Sequence, residues 1–176
     1  MVKWIFDLDN TLYSMDLLIT EPTDGNQESF LNYSKVVEDE FLIVLLHILK
    51  GEKIIYTNGT LAHMELVLDK LDITPEFTRY NYREKTGLKP DPRSFSRFMT
   101  LNKILPSDTC FFFEDNIDNL IEATNYNWVP ILIEPDATQH VAIQQQYHID
   151  FIFKDIYGAL LFFIEQQLKN RTVKKN

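Results

Sequence analysis

Apolar and polar positions follow two rhythms along this chain. Residues 2–8, 53–57, 110–113 and 129–133 are short, near-continuous apolar runs, the pattern of strands covered on both faces. Residues 77–82 and 150–153 are weaker runs of the same kind. Between them apolar residues recur at helical spacing. Val37, Phe41, Val44, Leu45 and Ile48 predict a helix over roughly 35–50, with Ser34 as its N-cap and Gly51 as its stop. Leu61, Met64, Val67, Leu68 and Leu71 predict a second helix after Thr60. Phe95, Phe98 and Met99 mark a third, opened by Asp91 as N-cap with Pro92 at the first helical position. Ile117, Leu120, Ile121 and Thr124 mark a fourth, and residues 156–168 a last one. Strands alternating with helices predict an α/β fold, a three-layer α/β/α sandwich around a central parallel sheet.

The 176 residues suit one domain, read as 1–168, followed by a basic tail at 169–176. With 45% hydrophobic and 24% charged residues the composition is that of a folded globular chain. A single cysteine, Cys110, excludes a disulfide scaffold and reads as core. No run reaches the roughly 18–20 apolar residues of a membrane span. Asp7 and Asp9 interrupt the N-terminal apolar stretch, so no secretory signal is read there and a cytoplasmic location is expected. The net charge of −9 disfavours nonspecific nucleic-acid binding. Only the tail, with Lys169, Arg171, Lys174 and Lys175, is basic; it reads as a solvated helix end, with docking to an acidic partner as the alternative.

In a doubly covered parallel sheet, ligands bind beyond the carboxyl ends of the strands. The first run ends in Asp7-Leu8-Asp9-Asn10-Thr11-Leu12, the second in Thr57-Asn58-Gly59, the fourth in Glu114-Asp115-Asn116. Four carboxylates thus converge on one sheet edge, where they repel unless a hard divalent cation with oxygen ligands joins them. Gly87-Leu88-Lys89-Pro90-Asp91 adds a lysine just ahead of a helix. A carboxylate nucleophile, a neighbouring acid or base, a hydroxyl, a cation site and a lysine are the parts of phosphoryl transfer through an aspartyl intermediate.

These segments resemble, in order, the four motifs of the haloacid dehalogenase (HAD) superfamily phosphatases. Asp7-Leu8-Asp9-Asn10-Thr11-Leu12-Tyr13 is similar to the first, Thr57-Asn58-Gly59 to the second, Lys89-Pro90 to the third, and Glu114-Asp115 with Asn119 to the fourth, over roughly residues 5–123. The wording is closest to the pyrimidine 5′-nucleotidase-like branch. The resemblance implies Mg²⁺ and a phosphomonoester substrate, with Asp7 as nucleophile and Asp9 as general acid and base. Thr57, the backbone N–H groups of Leu8, Asp9 and Asn58, and Lys89 would hold the phosphoryl group. Asp7, the carbonyl of Asp9 and Asp115 would ligate Mg²⁺, and Glu114 and Asn119 would act behind them. Retention of Asp9 favours a phosphatase, because dehalogenases of the superfamily lack an acid there and P-type ATPases carry Thr.

The branch also carries a large helical cap, for which this chain has no room. Only residues 13–33, with the turn-rich Glu21-Pro22-Thr23-Asp24-Gly25-Asn26, remain for a flap or miniature cap. An open site suits a small phosphorylated substrate enclosed by a second subunit, making a homo-oligomer an option, or phosphate on a nucleic-acid end or a phosphoprotein. A non-catalytic module of the same fold is the reading from another class. Asp118 reads as a first-turn helix acid, and Asn127 as a residue able to take the left-handed turn. His47, His63, His140 and His148 show no paired spacing with acids and are assigned no role.

Overall fold

A computed structural model describes residues 1–18 and 31–173. Most of the predicted flap, including Glu21 to Asn26, lies outside the described residues, as do Lys174 and Lys175 of the tail. Among the described residues, strands β1 (Val2–Phe6), β2 (Glu52–Tyr56), β3 (Arg79–Asn81), β4 (Thr109–Glu114), β5 (Val129–Ile133) and β6 (Phe151–Phe153) form one sheet in the order β3-β2-β1-β4-β5-β6. Every neighbouring pair is parallel. The chain reverses its direction of travel at β1, so β1 and β4 flank the switch point where α/β sheets place ligands.

Alternation along the strands divides the core between two faces. Trp4, Phe6, Ile55, Phe113 and Ile131 pack with α1 (Glu40–Ile48), α2 (Leu61–Lys70) and α7 (Ile156–Val173). Ile5, Ile54, Tyr56, Phe112 and Leu132 pack with α4 (Pro92–Asn102), α5 (Ile117–Thr124) and α6 (His140–Tyr147). These are the three layers the alternating pattern predicts. Aromatic rings fill the middle: Phe6 stacks on Phe113 at 4.5 Å and Tyr56 on Phe98 at 4.3 Å, while Cys110 is buried beside them.

The first helix differs from its prediction. It begins at Glu40, with Asp39 rather than Ser34 as N-cap, the Asp39 carboxylate accepting from the Leu42 N–H. Its buried residues are Leu42, Leu45 and Leu46, whereas Val37, Phe41, Val44 and Ile48 are exposed. Both sides of this helix are apolar, so periodicity could not choose between them; packing against α7 does, and Phe41 stacks on Tyr157 at the rim. In the same way Leu61 and Ile121 lie exposed, and Ala123 takes a core position on α5.

Two helices carry no apolar stripe and were not predicted: α3 (Arg83–Thr86) and α6, which buries only Ile143. The last helix runs on to Val173, into the segment read as tail, and Lys169 pairs with Glu165 one turn earlier at 2.8 Å. Asn127 does adopt the left-handed conformation, at φ 59°. Among the described residues no helix is long and apolar enough to cross a membrane.

Candidate active site

The site is built where β1, β2 and β4 end. Beyond β1, the N–H of Asp7 still donates to the Phe113 carbonyl at 2.9 Å, so the sheet holds this residue's backbone. The chain then turns through Asn10 at φ 57°, a conformation Asn tolerates, and the Thr11 and Leu12 N–H groups bond back to the Leu8 carbonyl. The turn returns Tyr13 to a bridge beside Asp9. Beyond β2, the Thr57 hydroxyl accepts from the Gly59 N–H at 2.9 Å and keeps its own proton to give.

Lys89 joins the three strand ends. Its buried ammonium donates to Asp7 Oδ1 at 2.7 Å, Glu114 Oε1 at 2.9 Å and the Tyr56 carbonyl at 2.7 Å. The Tyr56 and Phe112 rings lie 5.0 and 5.2 Å from it. The loop carrying it is clamped by the Asn58 side chain, which accepts from the Lys89 N–H at 2.7 Å and donates to the Lys89 carbonyl at 3.0 Å. Sequence reasoning considered only the Asn58 backbone; the side chain's hold on a residue 31 positions away was not visible in it.

Asp7, Glu114 and Asp115 each bring a carboxylate oxygen within 4.8 Å of the others. Three acids thus face one lysine. Burial, reinforced by the Glu114 charge, pushes the Asp7 carboxyl well above the usual carboxylate range despite Lys89. Asp115 is pushed up to about 7, first by burial and then by the hydrogen bond and charge of Glu114. Glu114 is as deeply buried, yet Lys89 and the hydrogen bonds from Asp115 and Asn119 hold it below its ordinary value. Burial also opposes the Lys89 charge, but Asp7 and Glu114 together keep its pKa above that of an ordinary lysine.

These residues fit a hard divalent cation. Glu114 is already occupied by Lys89, Asn119 Nδ2 and the N–H groups of Asp115 and Asn116. Asp7 and Asp115 are therefore the carboxylates left to meet a cation, and an all-oxygen set suits Mg²⁺ or Ca²⁺. Asn119 Oδ1 is buried with no donor among the described residues, and a water carried by the ion would supply one. Asp118 is exposed on the first turn of α5, outside this cluster.

Asp9 belongs to a different environment. Its Oδ1 accepts from Tyr13 at 2.5 Å and meets His63 Nε2 at 2.7 Å. His63 was assigned no role because the acid that binds it lies 54 residues earlier. The available signal was local: His63 follows Thr57 by six positions, in the first turn of the helix that Thr60 caps. Asp9, His63, Tyr33, Asn58, Leu66 and Arg83 are among the residues lining a cavity of about 580 Å³ beside this network.

The chain has the fold seen in solved haloacid dehalogenases. No family model and no curated protein matches it. Solved structures do. It is similar to the L-2-haloacid dehalogenase of Xanthobacter autotrophicus with chloropropionic acid covalently bound, with TM-score 0.56 and 14% identity over 69% of this chain and 58% of that one. A haloacid dehalogenase-like protein from Agrobacterium tumefaciens gives 0.54 and 14%, over 70% and 59%. The HAD-hydrolase YfnB of Bacillus subtilis, bound to magnesium, gives 0.53 and 14%, over 70% and 54%. The chain thus matches less than two-thirds of the length of these proteins. The pyrimidine nucleotidase branch is not singled out by these matches.

Proposed function

We infer that this chain is a Mg²⁺-dependent phosphomonoester hydrolase working through an aspartyl phosphate. The observation that carries the reading is the division of labour between two acids from one strand end. Asp7 is bound to a buried lysine and shares its space with Asp115, while Asp9, two residues on, is held by a tyrosine and a histidine. Two carboxylates in contrasting environments suit one nucleophile and one proton carrier.

With Oδ1 engaged by Lys89, Asp7 Oδ2 is the atom that attacks phosphorus. The new O–P bond forms as the ester P–O bond breaks, and the leaving oxygen takes a proton from Asp9. Asp9 then takes a proton from water, whose oxygen attacks phosphorus; the Asp7 O–P bond breaks and phosphate leaves with Asp7 restored. Lys89, the Thr57 hydroxyl and the N–H groups of Leu8, Asp9 and Asn58 bind the phosphoryl oxygens. Mg²⁺, held by Asp7, Asp115 and the Asp9 carbonyl, supplies charge neutralisation when bound.

The superfamily's dehalogenases lack an acid at the position of Asp9, which favours phosphate over halide as the leaving chemistry. A cavity of about 580 Å³ beside Asp9 is within the range of small-molecule sites and favours a small phosphorylated substrate, with nucleotides one class to try. The test is phosphate release from p-nitrophenyl phosphate, nucleoside monophosphates, sugar phosphates, a phosphopeptide and 3′-phosphorylated DNA, with 2-chloropropionate as a halide-release arm. Mg²⁺-dependent phosphate release, lost with EDTA and in Asp7→Asn, is expected. Turnover surviving in Asp7→Asn, halide release, or inactivity across the panel would overturn the reading.

A further inference from the structure

We propose that His63, Tyr33 and Tyr13 form a positioning relay that fixes the Asp9 carboxylate through one oxygen, so that the other oxygen delivers the proton to the leaving group. The inference rests on the phosphatase reading above and extends it to His63 and Tyr33, which lie outside the four motifs, and to Tyr13 at the end of the first.

Three contacts define the relay. Tyr33 Oη lies 2.7 Å from His63 Nδ1, His63 Nε2 lies 2.7 Å from Asp9 Oδ1, and Tyr13 Oη lies 2.5 Å from the same Oδ1. With the ring neutral, one pattern satisfies every group. The Tyr33 hydroxyl donates to Nδ1, Nε2–H donates to Asp9, and Tyr13 donates to Asp9. Tyr13 also lies 3.2 Å from the Met15 sulfur, but its one proton goes to the shorter contact with the better oxygen acceptor, Asp9 Oδ1.

Both donors therefore fall on Oδ1. Among the described residues Oδ2 accepts none, which makes it the oxygen from which a proton can move without breaking the relay. Fixing a carboxylate through one oxygen removes rotamers in which Oδ2 faces away from the substrate, and positioning of this kind acts on the chemical step.

The surroundings are built for the ring. His63 sits on the first turn of α2, its N–H bonded to Thr60 Oγ1 at 3.3 Å, and its side chain is 11% exposed. Gly59 makes the space: a Cβ there would lie 2.8 Å from His63 Cδ2 and 3.7 Å from Asp9 Oδ2. The glycine of the second motif thus clears the position that the histidine ring occupies. Asp9, His63 and Tyr33 also line the 580 Å³ cavity that includes Asn58 and Gly59, placing the relay where a leaving group would sit.

A proton carrier matters most when the leaving group is poor, so the readout is leaving-group dependence. His63→Leu, Tyr33→Phe and the conservative His63→Gln, whose amide can still donate to Asp9, are compared on glycerol phosphate and p-nitrophenyl phosphate. Melting curves confirm that each variant is folded. His63→Leu is expected to lower kcat on glycerol phosphate roughly 10²-fold, the lower end of what general acid catalysis contributes. The loss of kcat on p-nitrophenyl phosphate should stay within about threefold, whatever small change in KM follows from altering the cavity wall. His63→Gln should recover part of the loss, and Tyr33→Phe should show a smaller loss of the same selectivity. Equal losses on the two substrates, or a change confined to KM, would overturn the relay while leaving the phosphatase reading intact. Turnover that survives Asp7→Asn, run alongside, would overturn the phosphatase reading and the relay with it.

Discussion

Replacing Lys89 with methionine isolates the electrostatic centre of the molecule. Methionine nearly fills the volume but leaves Asp7 Oδ1, Glu114 Oε1 and the Tyr56 carbonyl without their shared donor. Glu114 is 1% exposed, so water cannot substitute. Removing one partner of a buried ion pair costs about 3–5 kcal/mol, and this ammonium serves two acids. The loss should depend on pH. In the wild type, Lys89 holds the folded-state pKa of Glu114 below its ordinary value. The Glu114 charge thus stabilises the fold above that ordinary value and stops doing so as pH falls through the depressed one. In the variant the hydrogen bonds from Asp115 and Asn119 remain, but burial is no longer opposed by the lysine charge and raises the carboxyl. The folded chain then keeps a proton that the unfolded chain releases above about pH 4.3, so variant stability falls as pH rises. The lysine's own pKa is raised, so its contribution in the wild type is constant between pH 5 and 8. Urea unfolding at both pH values should therefore show a loss of about 3–5 kcal/mol at pH 8 and a smaller one at pH 5. Adding Glu114→Gln to the methionine variant should restore part of the loss at pH 8, because the unpaired charge is gone. A loss under about 1 kcal/mol at pH 8, or one equal at both pH values, would refute the reasoning.

Two further outcomes follow from the same geometry. Mg²⁺ should raise the melting temperature more at pH 8 than at pH 6, because Asp115 must shed the proton it keeps up to about pH 7 before it can meet a cation; without the ion, the raised Asp115 makes stability fall as pH climbs from about 4 to 7. An equal shift at both pH values, or one that persists in Asp115→Asn, would contradict this. Asn58→Ala removes both hydrogen bonds to the Lys89 backbone and should cost about 1–3 kcal/mol in urea unfolding; an unchanged midpoint would show that the loop holds itself.

Much of this site was legible because buried parallel strands write a simple signal. An apolar run that stops at an acid or at Thr-Asn-Gly marks its own carboxyl end, and three such ends in a doubly covered sheet share one edge. Other features needed the third dimension. Residues 40–49 are apolar on more than one side, so Phe41 and Leu42 are equivalent in the sequence, and only packing against α7 buries Leu42 and leaves Phe41 at the rim. His63 reaches Asp9 across 54 positions and Tyr33 reaches His63 across 30, separations over which hydrophobic periodicity carries no signal. Glu114, placed by resemblance behind the metal, proves as much a partner of Lys89, because both side chains are fully buried and each satisfies the other.

The most direct test of the central claim is to look for the covalent intermediate. The protein is mixed with a turned-over phosphomonoester and Mg²⁺, quenched in acid within the first turnover, and its peptides are weighed. A single added phosphoryl group on the peptide containing Asp7, absent in Asp7→Asn and when substrate is omitted, is the predicted result. A phosphoryl group on any other residue, or turnover with no labelled peptide under conditions that trap an acyl phosphate, would contradict the account.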